Sequence, residues 1–257
     1  MIRETFTPAS LEEAATLKRE NAIYFSGGTQ INWAPSKINA ERVILLEGLL
    51  PVDVKRSDTR VEIGAGITLQ ALIDSLEVPE TLRAAAAFIP SRCVRNMATL
   101  GGNIAANRTD SSVIPALIAL KAEVKTLEKG VLSVEEYISH EEDALISKVF
   151  LPEVHGVSMV DKIALSTAAS PTLTMAVRIA DDEAVIALGC LSNHVIRLQS
   201  LEERILSGGL ETEEDIFDAV YSTVHPSERL KESSAYRRYI TATMIARAVT
   251  DCKRRQA

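Results

Sequence analysis

The sequence predicts an α+β fold in two domains, and three features carry that expectation. A chain of 257 residues is long enough for two modest cores. Up to Leu151, short apolar runs interleave with capped helical patterns, whereas from Val157 onward three strand-like runs are followed only by helices. Pro152 and Gly156 bracket the change, so the first domain is placed at residues 1–156 and the second at 157–257.

The elements follow in order. Ser10-Leu11-Glu12-Glu13 fits a capping box, and Ala14, Ala15 and Leu17 continue at helical spacing, predicting a helix to about Asn21. Ala22–Phe25 is a short buried strand that delivers the chain into a glycine turn. Arg42–Leu46 is another strand. Val52–Lys55 and Arg60–Ile63 form a hairpin around Ser57-Asp58-Thr59, closed by Gly64-Ala65-Gly66. Thr68 caps a helix through Leu76, and Pro79 opens another that includes Ala84–Ala87. A helix over Ser112–Leu120, strands at Glu123–Leu127 and Leu145–Leu151, and a polar helix at Val134–Ile138 complete the first half.

The later strands are Val157–Leu165, Thr172–Ile179 and Ala184–Leu191, and the helices are Leu201–Leu206, Thr212–Val224 and Ser234–Cys252. Thr212 suits an N-cap, with Glu213, Glu214 and Asp215 where the helix dipole favours acids. This order predicts a sheet with helices on one face. The Arg237-Arg238 pair reads as a solvated helix face.

Composition narrows the function. A hydrophobic content of 46% and a charged content of 25% are those of an ordinary globular protein. A net charge of −7 and only 4% aromatic residues exclude a phosphate-backbone binder and a base-stacking surface, so nucleic acid is not an expected partner. Cys93, Cys190 and Cys252 are scattered and odd in number, which offers neither a disulfide framework nor the four thiolates of an iron–sulfur cluster. The segment Met1–Phe6 lacks a signal-peptide core and no stretch approaches the roughly 18 apolar residues of a membrane span, so a cytoplasmic protein is expected.

Two glycine pairs carry the chemistry: Ser26-Gly27-Gly28-Thr29-Gln30 and, about seventy residues on, Thr99-Leu100-Gly101-Gly102-Asn103. Glycine has no Cβ to hold a ligand off the main chain, and successive N–H groups in such turns can converge on phosphate oxygens. Alone, the first pair reads as an ordinary tight loop; together, the two read as a cradle for a dinucleotide pyrophosphate. No catalytic triad, HExxH or Walker pattern is present, and nothing nominates a protein general base, as befits a chain whose cofactor does the chemistry.

The segment Arg95-Asn96-Met97-Ala98-Thr99-Leu100-Gly101-Gly102-Asn103-Ile104-Ala105, then Pro115-Ala116-Leu117-Ile118-Ala119-Leu120, resembles the FAD-binding medium subunit of the molybdenum hydroxylases, the family of xanthine dehydrogenase and carbon monoxide dehydrogenase. The early Gly-Gly-Thr turn and the C-terminal Ala235-Tyr236-Arg237-Arg238-Tyr239-Ile240 match in the same order, so the resemblance spans nearly the whole chain. It implies a two-subdomain FAD-binding domain of the PCMH type followed by a smaller α+β C-terminal domain. It also implies noncovalent FAD, the four scattered histidines offering no attachment near either turn.

Carried over by position, the implied cofactor residues are Tyr24, Phe25, Ser26, Gly27, Gly28, Thr29, Gln30 and Ile31 in the first turn and Thr99, Leu100, Gly101, Gly102 and Asn103 in the second. Ile89, Ser112, Ile146 and Lys162 complete the set. By residue type, Gly27, Gly28, Gly101 and Gly102 would offer N–H groups, and Thr29, Thr99 and Asn103 side-chain hydrogen bonds. Lys162 would stabilise negative charge on a reduced flavin.

Relatives often carry Asp where this chain has Ser112, and an Arg and an Asp after the Lys162 position where Ser166 and Ala169 or Ser170 stand here. The implied activity is electron transfer between the [2Fe–2S] clusters of a partner subunit and NAD or another acceptor, the molybdenum cofactor lying on a further subunit. The two departures keep a flavin-free scaffold of such a complex as the alternative.

Overall fold

A computed structural model describes residues 2–32, 40–140, 143–226 and 232–256. In chain order the elements are β1 (Glu4–Phe6), α1 (Leu11–Leu17), β2 (Ala22–Phe25), β3 (Arg42–Leu45), β4 (Val54–Arg56), β5 (Arg60–Gly64), α2 (Leu69–Asp74), α3 (Glu80–Ala87), α4 (Arg92–Met97), α5 (Leu100–Ala105) and α6 (Val113–Ala119). They continue with β6 (Glu123–Thr126), β7 (Gly130–Ser133), α7 (Val134–Ser139), β8 (Ile146–Pro152), β9 (Val157–Ala164), β10 (Pro171–Ile179), β11 (Ala184–Gly189), β12 (Ile196–Arg197), α8 (Gln199–Leu206), α9 (Glu213–Thr223) and α10 (Ser234–Gln256).

Contacts divide the chain into two compact units that interleave in sequence. The first comprises residues 1–79, 91–106 and 122–152, and the second residues 80–90, 107–121 and 153–257. The chain crosses finally into the second unit at Pro152, while α3 and α6 belong to it from earlier in the sequence.

The first unit holds two sheets. In the three-stranded one, β3 lies between β1 and β2, all parallel. Ala14, Ala22, Ile44, Leu46 and Leu145 are buried together beside it. The five-stranded sheet runs β4-β5-β8-β6-β7, antiparallel throughout. Helix α1 is shorter than its apolar spacing suggested. Ser10 caps it by accepting from the Glu13 amide at 3.2 Å. Lys18 is already extended, and Asn21 at φ 61° turns the chain into β2. Glu13 reaches back to the Ala9 amide at 2.7 Å rather than to that of Ser10.

In the second unit the antiparallel sheet β12-β11-β10-β9 is covered on both faces, a correction to the one-faced arrangement expected from element order. Leu173, Met175, Val177 and Ile179 alternate along β10 into a core shared with α8, α9 and α10. The intervening Thr174 and Arg178 bond to carbonyls flanking or ending α6, at Ser111 and Ala119. Every residue of β11 is buried, the mark of a strand covered twice. The periodicity of Val113–Ala119 is uninformative because all seven residues are buried.

Arg237 corrects a second expectation. It is 1% exposed, its guanidinium donating to the Cys190 carbonyl and facing Glu232. Arg238 lies over the Tyr221 ring, 4.2 Å from its centroid, and donates to the Tyr221 carbonyl. The pair therefore ties α10 inward instead of facing solvent.

Candidate functional site: paired glycine turns

Strand β2 pairs with β3 from Ala22 to Phe25 and then runs into Ser26–Ile31. Gly28 adopts φ +65°, a conformation that disfavours other residues, and a Cβ there would also stand 2.7 Å from Phe25 Cε2. Its carbonyl accepts from the Asn32 amide at 2.9 Å, closing the turn. Among the described residues the amides of Gly27, Gly28 and Thr29 have no hydrogen-bond partner. Three neighbouring donors without protein acceptors are an opening for an anion.

Gly27 sets the two turns against each other. A Cβ on it would overlap the carbonyl oxygen of Met97 and lie 2.7 Å from the carbonyl carbon. Met97 ends α4, which Ser91 caps by accepting from the Val94 amide at 3.3 Å. Two residues on, Thr99 caps α5 by accepting from the Gly102 amide at 3.1 Å.

The second turn is therefore the start of a helix, not an open loop. The Leu100 amide donates to Ile67 at 3.0 Å, the Gly101 amide to Ala65 at 2.9 Å and the Asn103 amide to Thr99 at 2.9 Å. This corrects the expectation that Gly101 and Gly102 offer free N–H groups: the cap and the neighbouring segment already take them. What remains is shape. Gly102 is exposed, and a Cβ on it would meet only its own cap, Thr99 Oγ1, whereas Gly101 is buried against Ala65.

The other anticipated residues separate by role. Tyr24 is engaged by other partners: its hydroxyl donates to Glu128 Oε1 at 3.3 Å, and Lys18 Nζ lies 4.8 Å from its ring centroid. Burial and then the Glu128 charge raise its phenol well above the usual range. Ile146 is buried at the start of β8, opposite Thr126, and adjoins Ser147, whose carbonyl accepts from the Ala65 amide at 3.0 Å.

Ile89, Ser112 and Lys162 belong to the second unit. Ser112 Oγ donates to the Ala85 carbonyl at 2.7 Å, fastening α6 to α3. Lys162 Nζ donates to the Phe88 carbonyl at 2.9 Å and the Thr167 carbonyl at 3.3 Å, next to Ile89. The residues that sequence reasoning passed over are Ala65–Leu69, which dock on the second turn. Their signals were the Gly64-Ala65-Gly66 run, read as a hairpin closure, and Thr68, read as a helix cap.

A glycine pair with unpartnered amides, set against a second glycine pair on one α+β unit, is an arrangement suited to the phosphates of a dinucleotide. Residues 2–154 match the FAD binding domain in molybdopterin dehydrogenase. The chain is 34% identical to the Escherichia coli (strain K12) protein YgfM over 257 residues, covering 98% of this chain and 97% of that one. Among solved structures it superposes on a chain of carbon monoxide dehydrogenase from Hydrogenophaga pseudoflava with a TM-score of 0.86 at 22% identity, covering 100% and 99% of the two chains. For quinoline 2-oxidoreductase from Pseudomonas putida 86 the TM-score is 0.85 at 17% identity, with 100% and 98% covered. The chain belongs to the family of FAD-binding domains of the molybdopterin dehydrogenases, an oxidoreductase flavoprotein family.

The residues present fit that cofactor, since the first turn offers backbone donors and neither turn carries a side chain across the exposed Gly102. No helix among the described residues is long and apolar enough to cross a membrane.

Proposed function

We propose that this chain is the FAD-binding, electron-transfer subunit of a multi-subunit molybdenum hydroxylase-type oxidoreductase working in the cytoplasm. The observation that carries the reading is the seating of Gly27 on Met97, beside amides of Gly27, Gly28 and Thr29 that have no partner among the described residues. Residues 1–156 hold the cofactor and residues 157–257 form the accompanying domain.

Bound noncovalently, FAD supplies the electron-accepting and electron-donating chemistry. The chain's own part is to bind and orient it. The first-turn amides and the Thr29 hydroxyl would hold the pyrophosphate, Gly102 would leave room for its approach, and Asn103 would add a side-chain hydrogen bond. Lys162 sets a positive charge beside the Phe88–Ile89 segment. Three scattered thiols do not supply the four of an iron–sulfur cluster, and the family resemblance implies that the electrons would come from a [2Fe–2S] partner and a molybdenum-binding partner and pass to NAD or another acceptor.

A flavin-free scaffold draws on one observation, the commitment of the Ser112 hydroxyl to Ala85. Affinity purification of the tagged chain from its native host separates the two. Co-eluting flavin, iron and molybdenum support the electron-transfer subunit. Iron and molybdenum without flavin support the scaffold, and elution alone overturns both.

A further inference from the structure

We infer that Gly101 is a positioning residue whose missing Cβ serves its seat on Ala65, rather than the approach of the cofactor. The inference rests on the FAD reading above. A Cβ at position 101 would stand 2.8 Å from Ala65 Cβ and 3.1 Å from Ala65 O, both closer than real Cβ atoms ordinarily come. Ala65 is fully buried, and its carbonyl accepts the Gly101 amide at 2.9 Å.

Ala65 cannot retreat to make room. Behind it the Gly66 amide donates to Pro51 at 2.9 Å, and the Ala65 amide itself donates to Ser147 at 3.0 Å. On either side, a Cβ on Gly64 would overlap the Pro51 carbonyl, and one on Gly66 would lie 2.7 Å from Leu50 Cβ. Layers so closely seated transmit a displacement. The extra methyl of Gly101→Ala would therefore push the start of α5 outward, together with the Met97–Ala98 corner on which Gly27 rests. The Leu69 amide on Ala98 at 2.8 Å and the Leu100 amide on Ile67 at 3.0 Å make the corner and the helix start move as one.

The test is a cycle of four proteins: wild type, Gly101→Ala, Ala65→Gly and the double variant, each titrated with FAD by fluorescence and followed through thermal unfolding. Gly101→Ala weakens FAD about tenfold or more, as overpacking of a close-seated pair does, and Ala65→Gly stays within about threefold of wild type. Removing the Ala65 methyl takes away the closer, 2.8 Å contact and leaves the 3.1 Å one to the carbonyl oxygen, which a shift of a few tenths of an ångström relieves. The double variant therefore recovers most of the lost affinity and returns to within about threefold of Ala65→Gly. A double variant as weak as Gly101→Ala overturns the inference, because residue 101 would then meet the cofactor directly. Should Gly101→Ala not fold, the comparison of Ala65→Gly with the double variant decides alone: matched affinities support the pair, and loss in the double overturns it. A wild-type chain that takes up no FAD overturns the reading of function and this inference with it, whereas failure confined to the double variant overturns only the inference.

Discussion

Gly27 sits so close under the Met97 carbonyl that the carbonyl carbon is 2.7 Å from where a Gly27 methyl group would stand. Two segments about seventy residues apart thus fix each other's position through one side chain's absence. Gly27→Ala should both weaken the fold and empty the site. The expected cost is about 1–3 kcal/mol in urea unfolding, with FAD affinity reduced at least about tenfold. A variant with unchanged stability and affinity would show that the seat is not needed.

Gly102 presents the opposite case, being exposed and bordered only by Thr99 Oγ1. Gly102→Val places a branched side chain where the cofactor approaches, so flavin binding should be abolished while far-ultraviolet circular dichroism still shows the folded chain. Stoichiometric FAD in that variant would remove the second turn from the site.

Arg237 is a buried charge, and its loss takes the counter-charge from the Glu232 carboxylate, whose side chain is 10% exposed and, among the described residues, keeps only the Thr172 hydroxyl's hydrogen bond on its other oxygen. Arg237→Met should cost about 3–5 kcal/mol in denaturant unfolding, and adding Glu232→Gln should recover part of it. A change within about 0.5 kcal/mol would be that of a solvated helix face and would refute the buried arrangement.

Burial pushes the Cys252 thiol from its usual 9.0 up to about 11. Above pH 9 the unfolded chain loses this proton while the folded chain keeps it. The contribution to stability is therefore complete below pH 9 and lost as pH rises toward 11. Cys252→Ala should flatten that part of the stability profile. At pH 8 a thiol reagent should modify exposed Cys93 quickly and buried Cys190 and Cys252 slowly. Equal labelling of all three would contradict the assigned burial.

Much of this architecture was legible because local chemistry announces it. Thr212 caps α9 and Asp215 reaches back to its amide at 3.0 Å, completing a capping box. Thr68 caps α2, and the strands from Ala22 and Arg42 fall where their apolar runs lie. What escaped was decided at long range. Strand β1 has three residues and exists because Arg42–Ile44 pairs with it. Helix α4 has no buried residue, so its sequence shows no apolar stripe. Helix α5 was hidden by its glycines, which read as a loop until Thr99 is seen capping Gly102.

The site was partly legible in the same way. The glycine pairs mark it, but nothing in a one-dimensional pattern shows that Ala65 and Ile67 accept the amides of Gly101 and Leu100. Nor could charge counting reveal that Arg178, 2% exposed in the middle of an apolar strand, bonds Ala119, His155 and Glu183 at once. Both arrangements depend on which segments the fold brings together.

The most direct measurement is the visible absorption spectrum of the purified chain before and after addition of FAD, with any released cofactor identified by chromatography. The account predicts a flavin spectrum and release of intact FAD on denaturation, since the link is noncovalent. A colourless chain that takes up no added FAD, alone or with its partner subunits, would contradict it.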